Sequence, residues 1–520
     1  MWMRFLLLFL APVLVACEAE RPRTLVFGRG GDTVGLDPAL ETDGESFKVC
    51  DNIYDNLVTF RPGKTELAPG LAESWTASDD LRTWTFNLRR NVVFHDGTPF
   101  TADAVVFSLA RQFKPDHPFH RVEGAFQYWN SMSMSEIVSD VKRVDDHTVS
   151  IELTRPNAPF LSNLAMNFCG IVSPSAVRKH GADFPRHPVG TGPFRFVQWI
   201  KDDRVVLERN PDYWGDAPQI DRLIFRSIPE NSVRLIALIQ GSIDGMDHLV
   251  PDFIPNIEKH PNLRLLTQPG MNVGYLAMNM DRAPFHLLKV RRAVNHAVNK
   301  QALVDNLYQG LALPAVNPIP PSMWSYHEGI EGYGYDPERA RELLTEAGYP
   351  DGFKTTLWAM PVPRPYMPQP RKIAQAIQAD LQTVGIQAEI VSYEWGTYLD
   401  KVSRGQHDMA LLGWTGDNGD PDNFLYVLLD KSATQQPANN IAFYRSDELH
   451  EVLVQAQREV DLAVRTGLYR KAQEIVFQDA PWVPLVHAAQ TAAFKKTVNG
   501  FTLHPTGSKW FQNVRIAETN

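Results

Sequence analysis

The sequence predicts a multidomain α/β protein, and three observations lead to that fold class. The chain has 520 residues, whereas one hydrophobic core serves roughly 150 residues, so about three domains are expected. From about residue 270 to about 490 helical and extended patterns alternate, which is typical of an α/β domain with a largely parallel sheet. Between about 60 and 186, alternating strands around a helix predict a separate α+β unit.

The first half of the chain supplies strands more than helices. Residues 24–28 predict a strand, and apolar residues at Val49, Ile53 and Leu57 predict a helix behind a loop. In the α+β unit, residues 84–88 and 148–154 alternate between apolar and polar side chains, as half-buried strands do. After His187 the sequence is interrupted by Gly190, Gly192 and Pro193. Further strands are predicted at 204–210 and 223–228, followed by a helix at 232–244.

The second half alternates more regularly. Residues 290–310 predict one helix of more than five turns. Residues 337–349 predict a second helix, because Asp336 suits the N-cap and Pro337 suits the first helical position. A third helix at 370–385 leads into a strand at 386–393, and 408–414 predict another strand.

Composition narrows the classes of function. Hydrophobic residues make up 44% and charged residues 21% of the chain, which is ordinary for a globular protein. Lys plus Arg number 51 against 60 for Asp plus Glu, giving a net charge of −9. An acidic chain lacks the basic surface that general nucleic-acid binding requires, so that class is excluded.

The N-terminus predicts export and a lipid anchor. After Arg4, residues 5–16 form an apolar run that is shorter than the roughly 20 residues needed to span a membrane, so a cleaved signal is favoured. The run ends in Leu-Val-Ala-Cys17, which resembles a bacterial lipoprotein signal in which Cys17 would be acylated. Acyl chains anchor a soluble domain to a membrane. An ordinary signal peptide is the alternative.

Two other cysteines, Cys50 and Cys169, complete the count of three. In an oxidising compartment such thiols often pair, so a disulfide between them is a candidate, and free thiols are the equal alternative. Without a CxxC spacing the cysteines do not predict a zinc site, and no other metal site is predicted.

Motifs for catalysis are missing from the sequence. It contains no GxSxG, HExxH or GxxxxGK[ST] motif, and Thr33 stands where a dinucleotide fingerprint after Gly28 requires glycine. These motifs therefore give no indication of a cofactor or of enzymatic activity. A hydrolase triad scattered along the chain stays open, because spacing does not reveal one.

A polar loop is the strongest binding signal. Residues 415–424 follow a predicted strand and hold Asp417, Asp420 and Asp422, and open α/β sheets bind ligands at the carboxyl ends of their strands. Arg364 lies between two prolines after another strand, where a stiff backbone suits a bidentate grip on a carboxylate. An ordinary turn and a surface arginine are the alternatives.

Several long segments resemble one family. The chain from about 24 to 516 resembles the solute-binding proteins of peptide- and nickel-type ABC importers, family 5. The resemblance is carried by residues 67–109, 188–199, 208–215, 289–304 and 393–402. Within the family, residues 358–366 and 413–424 resemble the periplasmic dipeptide-binding members.

The resemblance implies a two-lobe clamshell of the periplasmic-binding-protein type (type II-like), with three domains of which one is discontinuous. The signal peptide would occupy 1–17. The implied domains are 18–58 with 187–272 and 495–520 in the first lobe, 59–186 inserted into that lobe, and 273–494 as the second lobe. The hinge would lie near 272 and 494.

The resemblance also implies roles for named residues. Asp417 would take the α-ammonium of a dipeptide and Arg364 its carboxylate, two charges about 7 Å apart along an extended chain. Tyr366, Trp414 and Gly416 would line the pocket beside them. Core packing is the alternative for the two aromatic residues.

The resemblance implies an extracytoplasmic, monomeric, non-catalytic receptor that closes on dipeptides and delivers them to the permease and ATPase subunits of an importer. The lipid anchor at Cys17 comes from the N-terminal sequence and departs from the dipeptide-binding members. Alternative ligands are haem or a metal chelate, with His296 or His487 contributing, and longer or antimicrobial peptides. Residues 28–50 resemble the family as a whole and not its dipeptide-binding members in particular. The resemblance therefore leaves open which ligand side chains are preferred.

Overall fold

A computed structural model describes residues 22–120 and 126–517. The predicted leader 1–17, with Cys17, lies outside the described residues.

The described chain begins with a strand and a capped helix. Thr24–Arg29 forms β1 and Gly44–Ile53 forms α1. The side chain of Asp43 accepts hydrogen bonds from the amides of Glu45 and Ser46. These bonds satisfy donors that the helix itself leaves free, so the sequence fixes the start of α1.

The next part, which we call the insert (residues 58–180), covers most of the α+β unit predicted over about 60–186. Its strands are Val58–Phe60 (β2), Leu67–Pro69 (β3), Ala72–Ala77 (β4), Thr83–Leu88 (β5), Val138–Asp145 (β6) and Thr148–Leu153 (β7). Its helices are Ala102–Phe113 (α2), Gln127–Ser131 (α3), Met134–Ile137 (α4), Phe160–Leu164 (α5) and Pro174–His180 (α6). Four of the strands form an antiparallel sheet in the order β4–β5–β7–β6. Both predicted strands are confirmed.

The chain then returns to the sheet of β1. The elements are Phe194–Ile200 (β8), Arg204–Arg209 (β9), Arg222–Ser227 (β10), Asn231–Ile239 (α7), Gly245–Asp247 (β11), Ile254–Lys259 (α8) and Leu263–Gln268 (β12).

The second half alternates helices and strands as predicted. Its strands are Asn272–Met278 (β13), Ala312–Pro314 (β14), Lys354–Trp358 (β15), Gln387–Val391 (β16), Met409–Thr415 (β17) and Trp482–Ala488 (β18). Its helices are Leu288–Ala297 (α9), Lys300–Leu307 (α10), Pro337–Glu346 (α11), Pro370–Thr383 (α12), Trp395–Ser403 (α13), Asp422–Leu429 (α14), Asp447–Arg458 (α15) and Leu462–Asp479 (α16). The last strands are Gln490–Lys495 (β19), Val498–Asn499 (β20) and Arg515–Ile516 (β21).

The first large sheet has seven strands in the order β12–β19–β11–β1–β10–β9–β8. Phe27, Phe225 and Phe494 pack together on one face. Met246 and Leu263 belong to a separate hydrophobic cluster. We refer to this sheet and the insert together as the first lobe, following the domain plan that the resemblance implies.

The second large sheet, in the order β14–β18–β13–β17–β15–β16, is the core of the second lobe. The prediction of a largely parallel sheet is wrong. Strand β15 runs parallel to β16 and β17, but β13 runs antiparallel to β17 and β18, and β14 is antiparallel to β18. The chain enters this lobe along β13 and leaves it along β18, so these neighbouring strands run in opposite directions.

Two segments cross between the large sheets, residues 269–271 and Ala489. The side chain of Asn272 joins them, donating to the carbonyl of Ala488 at 2.8 Å and accepting from its amide at 2.9 Å. The second hinge is expected near 494, but residue 494 lies within β19, a strand of the first large sheet. The second crossing segment is therefore at Ala489, before that strand. The division into three domains stays a prediction.

The helix predicted over 290–310 is interrupted in the structure. It divides into α9 and α10, with Val298 and Asn299 in non-helical conformations between them. The amide of Asn299 donates to Asp380 at 2.9 Å, and its side chain caps α10 by accepting from Ala302. These bonds replace helical ones, so a single long helix was the wrong expectation.

Cys50 and Cys169 are both buried free thiols, so the candidate disulfide is absent from the structure. Cys50 packs into the cluster around the first sheet, whereas Cys169 packs into the cluster that includes the core of the insert. Burial raises the pKa of both thiols. Each side chain therefore belongs to a different core.

Candidate ligand-binding site

The loops that carry the two predicted charged residues leave the same edge of the second sheet. Strands β15 and β17 are parallel neighbours, paired through Leu357 with Met409. The loop after β15 carries Arg364, and the loop after β17 carries Asp417. Because parallel strands end at a common edge, the sheet positions both residues where open α/β sheets bind ligands.

Asp417 lies half-buried in a loop held by its own amides. Its backbone amide donates to Asn423 Oδ1 at 3.0 Å, and the indole of Trp414 donates to the same oxygen at 3.0 Å. Among the residues that the structure describes, the enclosed Oδ2 of Asp417 accepts no hydrogen bond. Burial raises the pKa of Asp417 to about 7. A ligand cation placed here would offset that unfavourable burial.

Glycine is required next to this carboxylate. The amide of Gly416 donates to the carbonyl of Met271, in a crossing segment, at 2.7 Å. A Cβ at position 416 would lie 2.4 Å from Phe424 Cε2, which is closer than any real contact of that kind. The loop is therefore tied to the crossing segment at a position that admits no side chain.

Arg364 lies half-buried at a reverse turn. Its amide and carbonyl exchange hydrogen bonds with Met367 at 3.1 and 2.9 Å. The guanidinium carbon lies 4.6 Å from the ring centre of Trp395, a cation–π contact that occupies the face of the group. Within residues 22–120 and 126–517, no carboxylate lies within 4.0 Å of this guanidinium. Its in-plane N–H groups suit a ligand carboxylate.

The other predicted pocket residues differ in their surroundings. Tyr366 is only 7% exposed, and its ring packs against β17 so closely that a Cβ at Gly413 would lie 2.3 Å from it. Burial raises the pKa of Tyr366 to about 12. Trp414 is half-buried and is oriented by Asn423. The role of Tyr366 and Trp414 as pocket walls stays a prediction.

The first lobe faces this loop with an aromatic group that sequence reasoning missed. The ring of Tyr128, in the insert, packs edge-on against Phe47 at 5.5 Å and stacks against Phe168 at 6.1 Å. Burial, and then the negative charges of Asp417 and Asp43, raise the pKa of Tyr128. Tyr128 therefore lies near the carboxylates of both lobes.

Direct contacts also join the loop to the insert. Asn418 Nδ2 donates to Asn163 Oδ1 at 2.6 Å, and Asn423 Nδ2 lies 3.4 Å from the sulfur of Met132. Both asparagines lie in residues 413–424, a segment that carries the resemblance, but nothing in the sequence identified their partners. These contacts join the second lobe directly to the insert.

The two candidate histidines are engaged elsewhere. His296 Nδ1 lies 2.9 Å from the carbonyl oxygen of Gly334. His487 is buried, with Nδ1 at 2.7 Å from the carbonyl oxygen of Asn272, and burial lowers its pKa to about 4. Neither residue lies in the loops of Arg364 and Asp417.

Two features are absent from the described ranges. In residues 22–120 and 126–517, no group of three or more His, Cys, Asp or Glu side chains is arranged to hold a metal ion. No helix in that part of the chain has the length and apolar character to cross a membrane.

Comparison with known families gives the broader identity. Residues 66–436 match the family of bacterial extracellular solute-binding proteins, family 5, middle region. The chain belongs to this family. The two-lobe fold predicted from the resemblance is confirmed.

Curated members of the family are similar over nearly their full length. The chain is 41% identical to the dipeptide-binding protein of Escherichia coli, over 98% of this chain and 97% of that protein. It is 38% identical to heme-binding protein A of Haemophilus influenzae, over 96% and 93%. It is 39% identical to di/tripeptide-binding protein 1 of Pseudomonas aeruginosa, over 98% and 97%.

Solved structures of family members superpose closely. A periplasmic binding protein associated with an ABC transporter of Helicobacter pylori, in complex with the peptide STSA, has a TM-score of 0.87 and 39% identity, over 95% of this chain and 98% of that chain. A dipeptide-binding protein of Pseudoalteromonas in complex with Met-Leu has a TM-score of 0.88 and 32% identity, over 95% and 100%.

Proposed function

We propose that this protein binds dipeptides between its lobes and delivers them to the permease of an ABC importer. One observation carries the proposal: Asp417 and Arg364, of opposite charge, lie on loops from the same edge of the second sheet, and neither is paired with an oppositely charged described residue.

The chemistry of a free dipeptide fits these two residues. A dipeptide is a zwitterion, so its α-ammonium would pair with Asp417 and its α-carboxylate with Arg364. Hydrogen bonds to charged groups contribute about 1.5–3 kcal/mol each. The peptide backbone is common to all dipeptides, so recognition of its ends tolerates many side chains.

The relatives support peptide as the ligand class. Those from Escherichia coli and Pseudomonas aeruginosa are named for dipeptides and di/tripeptides, and the Pseudoalteromonas structure holds Met-Leu. The structure from Helicobacter pylori holds a peptide of four residues. The number of residues bound is therefore a property to be measured on this chain.

Our proposal includes the setting of the protein. It acts outside the cytoplasm as a monomer, is anchored by a lipid on Cys17, and works with permease and ATPase subunits while catalysing nothing itself. Acylation of Cys17 is tested by the mass of the mature N-terminal peptide, which should carry lipid and begin at that cysteine.

Haem is the second candidate ligand, because one relative is named a heme-binding protein. Haem ligation requires an accessible imidazole nitrogen, and His296 and His487 each have one nitrogen near a backbone carbonyl. Titration with haem, followed by absorbance, separates the two candidates. A red-shifted band that disappears in His487→Ala would favour haem.

The primary test is mass spectrometry of small molecules released when the purified mature protein is denatured, followed by calorimetric titration with dipeptides. Dipeptides in the released fraction and saturable binding support the proposal. Release of haem or chelates alone, together with no heat from any dipeptide, would contradict it. Asn130→Ala, at an exposed position in the insert, serves as the control for substitutions at the site.

A further inference from the structure

The arginine proposed to take the ligand carboxylate is held by a column of aromatic rings on the second lobe. We propose that Trp395 is a positioning residue, which fixes the orientation of the Arg364 guanidinium and thereby makes the site select a free carboxylate. The inference rests on the dipeptide function proposed above and adds what gives the carboxylate end its specificity.

The column is anchored to the two strands that lead to the site. The hydroxyl of Tyr398, in α13, lies 2.7 Å from the carbonyl oxygen of Leu411 in β17 and 3.1 Å from that of Trp358 in β15. Tyr398 is buried, and a buried hydroxyl is held in place by such bonds. Its ring is therefore fixed to the strands whose loops carry Arg364 and Asp417.

Trp395 packs on the ring of Tyr398, three residues before it in the helix. The two rings are stacked, with centres 5.8 Å apart and planes inclined by 13°. The side chain of Glu394 caps the start of α13, accepting from the amides of Gly396 and Thr397 at 3.1 and 3.2 Å. The turn that carries Trp395 is therefore fixed by a cap as well as by the stacked ring.

Arg364 completes the column. Its guanidinium carbon lies 4.6 Å from the ring centre of Trp395. Two hydrogen bonds tie the loop of Arg364 to the segment before α13: the amide of Ala359 donates to the carbonyl of Val391 at 2.8 Å, and Ser392 Oγ donates to the carbonyl of Ala359 at 2.9 Å. The backbone thus keeps the arginine and the indole within reach of each other.

A stacked guanidinium offers its edge to a ligand. With one face covered by Trp395, the N–H groups that lie in the plane of the group remain, and two parallel N–H donors match the two oxygens of a carboxylate. A C-terminal amide has one oxygen and an NH₂ group that is itself a donor, so it matches only one of them. Without the indole the guanidinium would adopt several orientations, and ordering it on binding would reduce the advantage of the carboxylate.

The test compares Gly-Leu with its C-terminal amide by calorimetry. We expect the wild type to prefer Gly-Leu, and Trp395→Leu to reduce that preference about fivefold, the usual contribution of a cation–π contact at a half-exposed position. Trp395→Phe retains an aromatic face and should keep most of the preference. Trp75→Leu is the matched control, because Trp75 is also half-buried but packs against Phe86 in the insert, and it should bind both ligands as the wild type does.

A double variant separates positioning from direct contact with the ligand. In the Arg364→Ala background, Trp395→Leu should change neither affinity further, because the group that the indole orients is gone. A further loss in the double variant would show that Trp395 contacts the ligand itself, and it would overturn the inference. An unchanged preference in Trp395→Leu would also overturn it, since general damage to the fold lowers both affinities alike.

The wild-type protein separates this inference from the proposed function. Binding of neither ligand would overturn the dipeptide function and the inference together. Equal binding of Gly-Leu and its amide would overturn the role of Arg364 and the inference, while dipeptide binding would stand. Trp395→Met provides the same readout if Trp395→Leu does not fold.

Discussion

The two sides of the cleft differ in how their residues are arranged along the chain. On the second lobe, Asp417, Asn418 and Asn423 lie within one loop after β17. On the first lobe, the facing residues Phe47, Thr65, Tyr128, Met132 and Asn163 come from separate elements of α1 and the insert. A contiguous loop is visible in a sequence, whereas a wall assembled from distant residues is visible only after folding.

The largest effect is expected from the contiguous side. Asp417→Asn retains the size of the side chain but removes the charge that would pair with the α-ammonium. We expect dipeptide affinity to fall about 100-fold, since a charge-assisted bond in an enclosed site contributes up to about 3 kcal/mol. Calorimetry with Gly-Leu measures it.

Arg364→Ala gives the matching test at the other end, and it should weaken dipeptides more than longer peptides. Circular dichroism checks that each variant folds. If Asp417→Asn binds Gly-Leu as tightly as the wild type, another group holds the ammonium. The loop after β17 would then not make the largest contribution to binding.

The second prediction concerns closure. Gly419 has φ of +75°, a conformation that favours glycine, and a Cβ there would lie 2.3 Å from Thr65 Cβ. We expect Gly419→Ala to hold the lobes apart and weaken dipeptides by at least tenfold. Small-angle X-ray scattering with saturating peptide should show a larger radius of gyration than for the wild type.

Gly419→Ala combined with Thr65→Gly separates the collision from the backbone strain. Removing the Thr65 side chain should restore closure and part of the affinity, because the strain at position 419 remains. No recovery in the double variant would show that the loop conformation, and not the contact with the first lobe, is what the alanine disturbs.

The sequence predicted the strand-to-loop junctions because a polar loop directly follows an apolar strand, and both β15 and β17 are confirmed. It did not predict the antiparallel neighbours of β13, since pairing depends on where the chain enters and leaves the lobe. It also missed the interruption at Asn299, whose amide bonds to Asp380, a residue 81 positions away. Asn163 was missed for the same reason, because its partner Asn418 lies 255 positions away in the other lobe. Tyr128 was missed because its packing partners Phe47 and Phe168 are distant from it in the chain.

The third prediction is a pH dependence that only the loop side should produce. Burial raises the pKa of Asp417 to about 7, so below that pH the empty site is protonated and binding an ammonium requires release of a proton. Dipeptide affinity should therefore fall as the pH decreases from 7 to 5, by up to about tenfold per unit. Calorimetry in buffers of different ionisation enthalpy measures the protons released.

The groups facing Asp417 set the controls for that experiment. Asp417 and Asp43 both lie close enough to Tyr128 for their charges to raise its pKa, and Asp43→Asn should leave the pH dependence in place. In Asp417→Asn the dependence between pH 7 and 5 should disappear. A dependence that persists in Asp417→Asn would assign the titration to another group.

The smallest effect is expected on the assembled side, at Tyr128. Tyr128→Phe retains the ring that packs against Phe47 and Phe168 and removes only the hydroxyl, so affinity for Gly-Leu should change by no more than about fivefold. Tyr128→Ala also removes the packing and should cost more. If Tyr128→Phe instead weakens binding as much as Asp417→Asn, the hydroxyl contacts the ligand directly, and the two sides contribute equally to recognition.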